Sequence, residues 1–377
     1  MTAGGDTGAE ERLLLALTPA TRGAPAQRQL VAQLAAAADP QRTAAVFEAH
    51  GVLALYAARL RDLAPGPLAD GLAERASATR LAAEAQTTVL EASLQEVLGL
   101  LVAAGVRAIP FKGPALARAA HDDAALRHSS DLDLLVGRAG LERAKEAMLG
   151  AGYTAPHDRL RPDGLPELHL SFAHPRPWGP EVEVHWRVHW ADETHGDTVV
   201  ERAEAGPDGL LRPAADDELA VLLLCYARDG FIGVRLAADV AGWWERNQER
   251  LSDGPALDAF TARHPATLPA LAAAALVSDR IAGVPAGRLL SPAGLRSAPR
   301  RAVALADPLA SGDLQQLQAK MFVVEWLTVP RAERRGFWRR RIEYAATTRG
   351  IERWTHLPKV AARMVAARVG RPRRLQR

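Results

Sequence analysis

Two aspartates stand two residues apart in His128-Ser129-Ser130-Asp131-Leu132-Asp133-Leu134-Leu135-Val136. On a strand, successive side chains alternate between faces, so Asp131 and Asp133 project together while Leu132 and Leu134 point into a core. Two carboxylates that close repel each other, and a divalent cation between them removes the repulsion. Taken in isolation, the same Asp-x-Asp is also compatible with a solvated edge strand preceded by a serine turn. Neither aspartate is expected to be a core residue.

The surrounding elements give the pair its context. Upstream, Val106-Arg107-Ala108-Ile109-Pro110-Phe111-Lys112-Gly113-Pro114 reads as a short apolar strand entering a basic, glycine-containing turn, with a helical stretch over 115–120. Downstream, an amphipathic helix around Leu141, Ala144 and Met148 stops at Gly150-Ala151-Gly152. A second strand with acids on one face then follows, Glu181-Val182-Glu183-Val184-His185-Trp186. The order is strand, turn, helix, acid strand, helix, further strands and a third acid. It resembles the nucleotidyltransferase superfamily of the DNA polymerase beta type, and within it the uncharacterised bacterial nucleotidyltransferases. The likeness is carried by Phe111-Lys112-Gly113, by residues 127–136 and by Glu183-Val184-His185-Trp186, about a hundred residues in all. The first turn departs from the Gly-Ser or Gly-Gly common in the superfamily, and its separation from the acid pair is longer.

The resemblance implies a three-carboxylate metal site of Asp131, Asp133 and Glu183, holding Mg2+ or Mn2+ with a nucleoside triphosphate as substrate. Glu181 shares a face with Glu183, and the position of Glu183 two residues before His185-Trp186 selects it. Two magnesium ions about 3.5–4 Å apart would stabilise the attacking and leaving oxygens, and magnesium accepts oxygen ligands of this kind. For phosphate, Gly113 permits close backbone approach, the following helix offers its positive N-terminal end, and Lys112 supplies a point charge. Arg127 is a candidate bidentate clamp, and Ser129 and Ser130 are candidate hydroxyl donors. The chain has 47 Lys plus Arg, of which only Lys112, Lys145, Lys320 and Lys359 are lysines, so a lysine in this turn is notable.

The 377 residues, 48% of them hydrophobic, suffice for two or three cores of ordinary domain size. Residues 1–104 are expected to be helical, with Leu90, Leu94, Val97, Leu98 and Leu101 forming one apolar face of a long helix. Residues 105–205 form the expected catalytic core, including a strand over Leu168–Phe172. Residues 206–377 return to helix, with stretches at Glu218–Ala227 and Val234–Trp244, and end in a basic tail. The expected fold class is thus α+β, a nucleotidyltransferase-type mixed sheet flanked by mainly helical N- and C-terminal domains. Ala237-Ala238-Asp239-Val240 resembles a segment recurring in the same family; Asp239 reads either as a contact to nucleotide or acceptor or, more commonly for such a residue, as a local cap or pair, and it is left out of the expected site.

No run approaches the roughly 20 apolar residues of a membrane span and no signal peptide is visible at the start, so the protein is expected in the cytoplasm. The single cysteine, Cys225, reads as a core residue. Net charge is only +3, but arginines concentrate at 331–341 and 363–377 near Phe337, Trp338 and Trp354, a pattern compatible with RNA, an anionic surface or a solvated face. His169, His174, His185 and His189 could be read as tetrahedral zinc ligands. Four residues along a strand separate His185 from His189 by roughly 13 Å, which argues against it. His185 shares the face of Glu183 and reads either as a partner of that acid or an acceptor-site group, or as a half-buried strand residue.

The expected activity is metal-dependent transfer of a nucleoside monophosphate onto a hydroxyl or phosphate of an unidentified acceptor, a small molecule or peptide. The alternatives are an RNA-directed enzyme holding tRNA through the basic region and an inactive nucleotide-binding scaffold.

Overall fold

The computed structural model describes residues 8–19, 24–155, 163–206, 209–311 and 314–339, with only the backbone of 314–316. The N-terminal helices are α1 (Ala9–Ala16), α2 (Pro25–Ala37), α3 (Pro40–Ala49), α4 (Leu53–Leu63) and α5 (Pro67–Ala103). The sheet region runs β1 (Ile109–Pro110), α6 (Gly113–Ala120), β2 (Asp131–Leu135), α7 (Gly137–Gly150), β3 (His169–Phe172) and β4 (Glu181–His185). After it come α8 (His195–Arg202), the small hairpin β5 (Glu204–Ala205) and β6 (Leu211–Arg212), then α9 (Ala215–Arg228) and α10 (Arg235–Asn247). The remaining helices are α11 (Asp258–Arg263), α12 (Leu268–Ala282), α13 (Ala286–Leu289), α14 (Pro292–Leu295), α15 (Arg300–Leu305) and α16 (Leu314–Thr328). A small sheet among many helices makes this an α+β fold.

Helix α5 links two cores. Its 37 residues extend about 55 Å at 1.5 Å per residue. Leu72 and Ala76, near its start, pack with α1–α4, with Val234 just before α10 and with Ala238 of α10. Leu90, Leu94, Val97, Leu98 and Leu101, near its end, lie under the sheet. Pro67 opens α5 and Pro114 opens α6, each in the first turn, where a missing N–H costs no helical bond.

The main sheet has the order β1-β2-β4-β3, with β2 and β4 parallel and both outer pairs antiparallel. Alternation sorts its two faces. Leu132, Leu134, Leu170, Phe172, Val182 and Val184 bury against α5 and α7. Ile109 and Leu135 join the large apolar core of α9, α10 and α12 on the other side. Asp131, Asp133, Glu183 and His185 share the parity of Leu135, so the acid face turns toward α9 and α10. Helix α10 crosses α6 closely: a Cβ on Gly242 would stand 2.1 Å from the carbonyl oxygen of Ala120.

Several expectations change. The strand leading into the basic turn is confined to Ile109–Pro110, and the chain leaves β4 at His185, so His189 is not on that strand. Phe337 is no surface aromatic: it is buried with Leu168, Trp190 and Val329. Trp338 beside it is exposed. Arg340, Arg341, Trp354 and residues 363–377 lie outside the described residues.

Candidate functional site

Register brings the acids together. Asp131 pairs with Glu181 and Asp133 with Glu183 across the parallel β2–β4 ladder. Glu181 is exposed, whereas Glu183 is half-buried and lies directly opposite Asp133. Asp131 is also half-buried, but Asp133 is only 3% exposed. Asp133 is therefore a core residue, contrary to the expectation from sequence. It stays charged because the fold supplies partners for it.

Those partners are Lys112 and His185. Lys112 Nζ donates to Asp133 Oδ1 at 3.2 Å, and His185 Nε2 lies 3.0 Å from the same oxygen. Burial alone would raise the Asp133 pKa, but Lys112 and the His185 hydrogen bond more than offset it, and the carboxyl is held well below its usual range. Burial and the charge of Arg228 work against the Lys112 ammonium, but Asp133 prevails and its pKa is raised. Asp131 is shifted up, by burial first and then by the negative charges of Asp133 and Glu183. Of the three carboxylates, Asp131 thus carries the uncompensated repulsion.

His185 is fully buried rather than half-buried. Its Nε2 also lies 3.0 Å from Glu183 Oε2, and its ring meets Phe111 edge-on at 5.0 Å. His169 sits directly across the β3–β4 ladder from His185, and its Nε2 is 3.6 Å from Glu183 Oε1. Burial and then the neighbouring His185 hold the His169 pKa down at about 4, so the ring is neutral near pH 7. Burial would raise the Glu183 pKa, yet the His185 hydrogen bond and the two imidazoles lower it.

The turn before α6 approaches this face through Gly113. Its φ is +57°, and a Cβ would stand 3.0 Å from the carbonyl oxygen of Asp131. Glycine is needed both for the left-handed backbone and for the close contact. The Phe111 amide donates to the Asp133 carbonyl at 3.3 Å, fixing the turn against β2. The N-terminus of α6 consequently lies beside Asp131.

Arg127 is occupied elsewhere. Its Nε donates to both carboxylate oxygens of Asp239 at 2.9 Å, and its Nη1 donates to the Ser129 hydroxyl at 2.8 Å. His121 Nε2 completes this buried cluster at 2.9 Å from Asp239 Oδ1. Burial would raise the Asp239 pKa, but Arg127 and the His121 hydrogen bond bring it down to about 2. Ser129 is buried by these contacts, and Ser130 next to it is exposed.

Sequence reasoning did not single out Arg228 and Arg235, which end α9 and begin α10. Arg228 acts electrostatically on Asp133 and Glu183, and Arg235 on Asp131 and Asp239. Arg235 also donates to the carbonyl of His128, just before β2. The connection between them holds Phe231 buried at φ +54°, a strained conformation for a bulky side chain. It is tied down by bonds from the Asp307 amide to the Phe231 carbonyl and from the Gly233 amide to the Asp307 carbonyl. A pair of arginines bracketing a glycine-rich turn was the available signal, but the many arginines of this chain hide it.

A family model described as an uncharacterised nucleotidyltransferase matches residues 36–281. The chain belongs to that family. The match spans α3 to α12 and takes in the acid face, the Asp239 cluster, Arg228 and Arg235. No curated protein and no solved structure matches this chain. No helix among its described residues is long and apolar enough to cross a membrane.

Proposed function

We propose that this nucleotidyltransferase moves a nucleoside monophosphate from a nucleoside triphosphate onto a hydroxyl or phosphate oxygen of its acceptor, with release of pyrophosphate. The observation that carries the reading is the convergence of Asp131, Asp133 and Glu183 on one sheet face beside Lys112. The donor set suits a divalent cation. Asp133 is ionised although buried, and Asp131 has its pKa raised by neighbouring negative charge that a cation would relieve. Asp131, Asp133 and Glu183 would hold Mg2+ or Mn2+, which when bound supplies charge stabilisation at the attacking and leaving oxygens.

The chain's own groups do the rest. Lys112, Arg228 and Arg235 surround the carboxylates with positive charge able to receive a triphosphate and the charge that builds on the departing pyrophosphate. The Gly113 turn brings the α6 amides beside Asp131 for phosphate oxygens. Ser130, exposed beside β2, would contribute a hydroxyl, while Arg127 and Ser129 brace the start of β2 from within, and Arg127 is not assigned to phosphate.

The test is pyrophosphate release from each of the four ribonucleoside triphosphates with Mg2+ or Mn2+, wild type against Asp131→Asn. Metal-dependent release lost in the variant is the expected result, and equal release by both proteins would overturn the assignment.

A further inference from the structure

The carboxylate expected to complete an oxygen-only site is bracketed by nitrogen. Glu183 Oε2 lies 3.0 Å from His185 Nε2, and Glu183 Oε1 lies 3.6 Å from His169 Nε2. If a magnesium site were all this face provides, two imidazoles competing for both oxygens of its third carboxylate would weaken it, since magnesium takes oxygen ligands almost exclusively. As co-ligands the same rings have a purpose.

We propose that His169, Glu183 and His185 form a binding site for a zinc-class transition-metal ion, which shares Glu183 with the Asp131–Asp133 pair and differs from that pair in its nitrogen donors. Backbone register builds it. His169 and His185 are direct partners across the antiparallel β3–β4 ladder, and Glu183 lies two residues from His185 on the same face. One ligand atom from each of the three lies within 4.8 Å of the others. Donors about 2.1 Å from a shared tetrahedral ion stand about 3.4 Å apart; His185 Nε2 faces Glu183 Oε2 at 3.0 Å and His169 Nε2 faces Glu183 Oε1 at 3.6 Å, so the carboxylate already lies between the two rings. The centroids of the two rings stand 4.6 Å apart.

The chemistry of the donors is selective. Two imidazoles and one carboxylate with a position left open are a ligand set for zinc and its neighbours, not for magnesium or calcium. Nε2 is the nitrogen that each ring directs at Glu183, and the Nδ1 atoms of both rings are buried without a hydrogen-bond partner among the described residues. Asp133 Oδ1, 3.0 Å from His185 Nε2, stands at the edge of the site and would couple it to the Asp131–Asp133 pair. The other histidines of this region stay outside: His174 stacks with Trp178, and His189 Nδ1 accepts from the Ala191 amide.

The experiment is a titration of the full-length protein, freed of metal, with Co2+ in excess Mg2+, read by the visible d–d absorption of nitrogen-ligated cobalt and by its displacement with Zn2+. Wild type is expected to bind one equivalent. Affinity should fall at least about tenfold in His169→Asn and in Glu183→Gln, and change little in Glu181→Gln, which lies outside the ligand set. Circular dichroism and thermal unfolding of each variant report whether it is folded. The inference is overturned by wild type giving no band, or by a band that persists in folded His169→Asn and Glu183→Gln. Pyrophosphate release is scored separately: release without cobalt binding removes this inference alone, and cobalt binding without release removes the proposed activity alone.

Discussion

Two buried carboxylate clusters lie on either side of the start of β2, and they differ in how their charge is closed. In the Arg127–Asp239–His121 cluster both Asp239 oxygens receive Arg127 Nε, His121 lies alongside, and the Asp239 pKa falls to about 2. On the acid face, three carboxylates share Lys112 and two histidines, and Asp131 is left with a raised pKa. Both have an aspartate on a regular element and a basic residue within reach. The difference teaches that a closed charge cluster holds the fold, whereas an open one is stabilised further by a cation that binds to it.

The sharpest way to break the comparison is Asp131→Asn. It should reduce metal-dependent pyrophosphate release by at least about a hundredfold, as for loss of an electrostatic group acting on the reacting atoms, while the metal-free thermal midpoint stays level or rises. A fall in midpoint would show that Asp131 is structural after all. The opposite behaviour is expected of Asp239→Ala, which leaves the Arg127 guanidinium buried and unpaired. It should cost about 3–5 kcal/mol of unfolding free energy, read from denaturant curves.

Acid should separate the clusters by sign. Asp239 has a folded pKa below its unfolded value, so its stabilisation is present above about pH 4 and is lost as pH falls toward about 2. Asp131 has a folded pKa above its unfolded value, so its contribution is favourable below the unfolded pKa and is lost as pH rises through the folded one. The stability deficit of Asp239→Asn against wild type should therefore shrink in acid, and any gain in Asp131→Asn should grow toward neutrality. Matching slopes for the two variants would erase the distinction.

A background slope underlies both. His189 and His195 are fully buried with pKa values pushed down to about 3 and about 4, by burial first, so they are neutral in the folded state. Their contribution is complete above the unfolded value near 6.5 and is lost as pH falls toward those folded values. At about 1.4 kcal/mol per pH unit per proton, these two histidines should contribute roughly 3 kcal/mol per unit to the wild-type loss in that window. The smallest effect is expected of Gly113→Ala, which adds a Cβ at φ +57° against the Asp131 carbonyl. It should cost about 1–2 kcal/mol and weaken nucleotide binding measured by calorimetry, because the turn must move away from β2.

Much of the acid face was legible in the chain because its information is local. The two-residue period of Asp131-Leu132-Asp133-Leu134 fixes which side chains share a face, and the same period puts Glu181, Glu183 and His185 together on β4. Choosing Glu183 over Glu181 drew on the family pattern, and the register of β2 against β4 sets Glu183 opposite Asp133. The long apolar face of α5 was equally readable from its helical spacing. The roles of Arg127 and Asp239 were only half visible: a local pairing for Asp239 was expected, but its partner is 112 positions away in the chain.

What the sequence determined by itself was periodicity: which residues alternate on a strand, which line a helix, and where glycine and proline break them. The tertiary structure alone decided which charges meet. It buried Asp133, turned Arg127 inward to Asp239, set His169 beside His185 through an antiparallel pairing, and brought Arg228 and Arg235 over the acids through the strained connection at Phe231. The reason is physical. Alternation depends on backbone geometry within a few residues, whereas the fate of a charge depends on the solvent it loses and the partner it gains, both set by chain segments far apart in sequence.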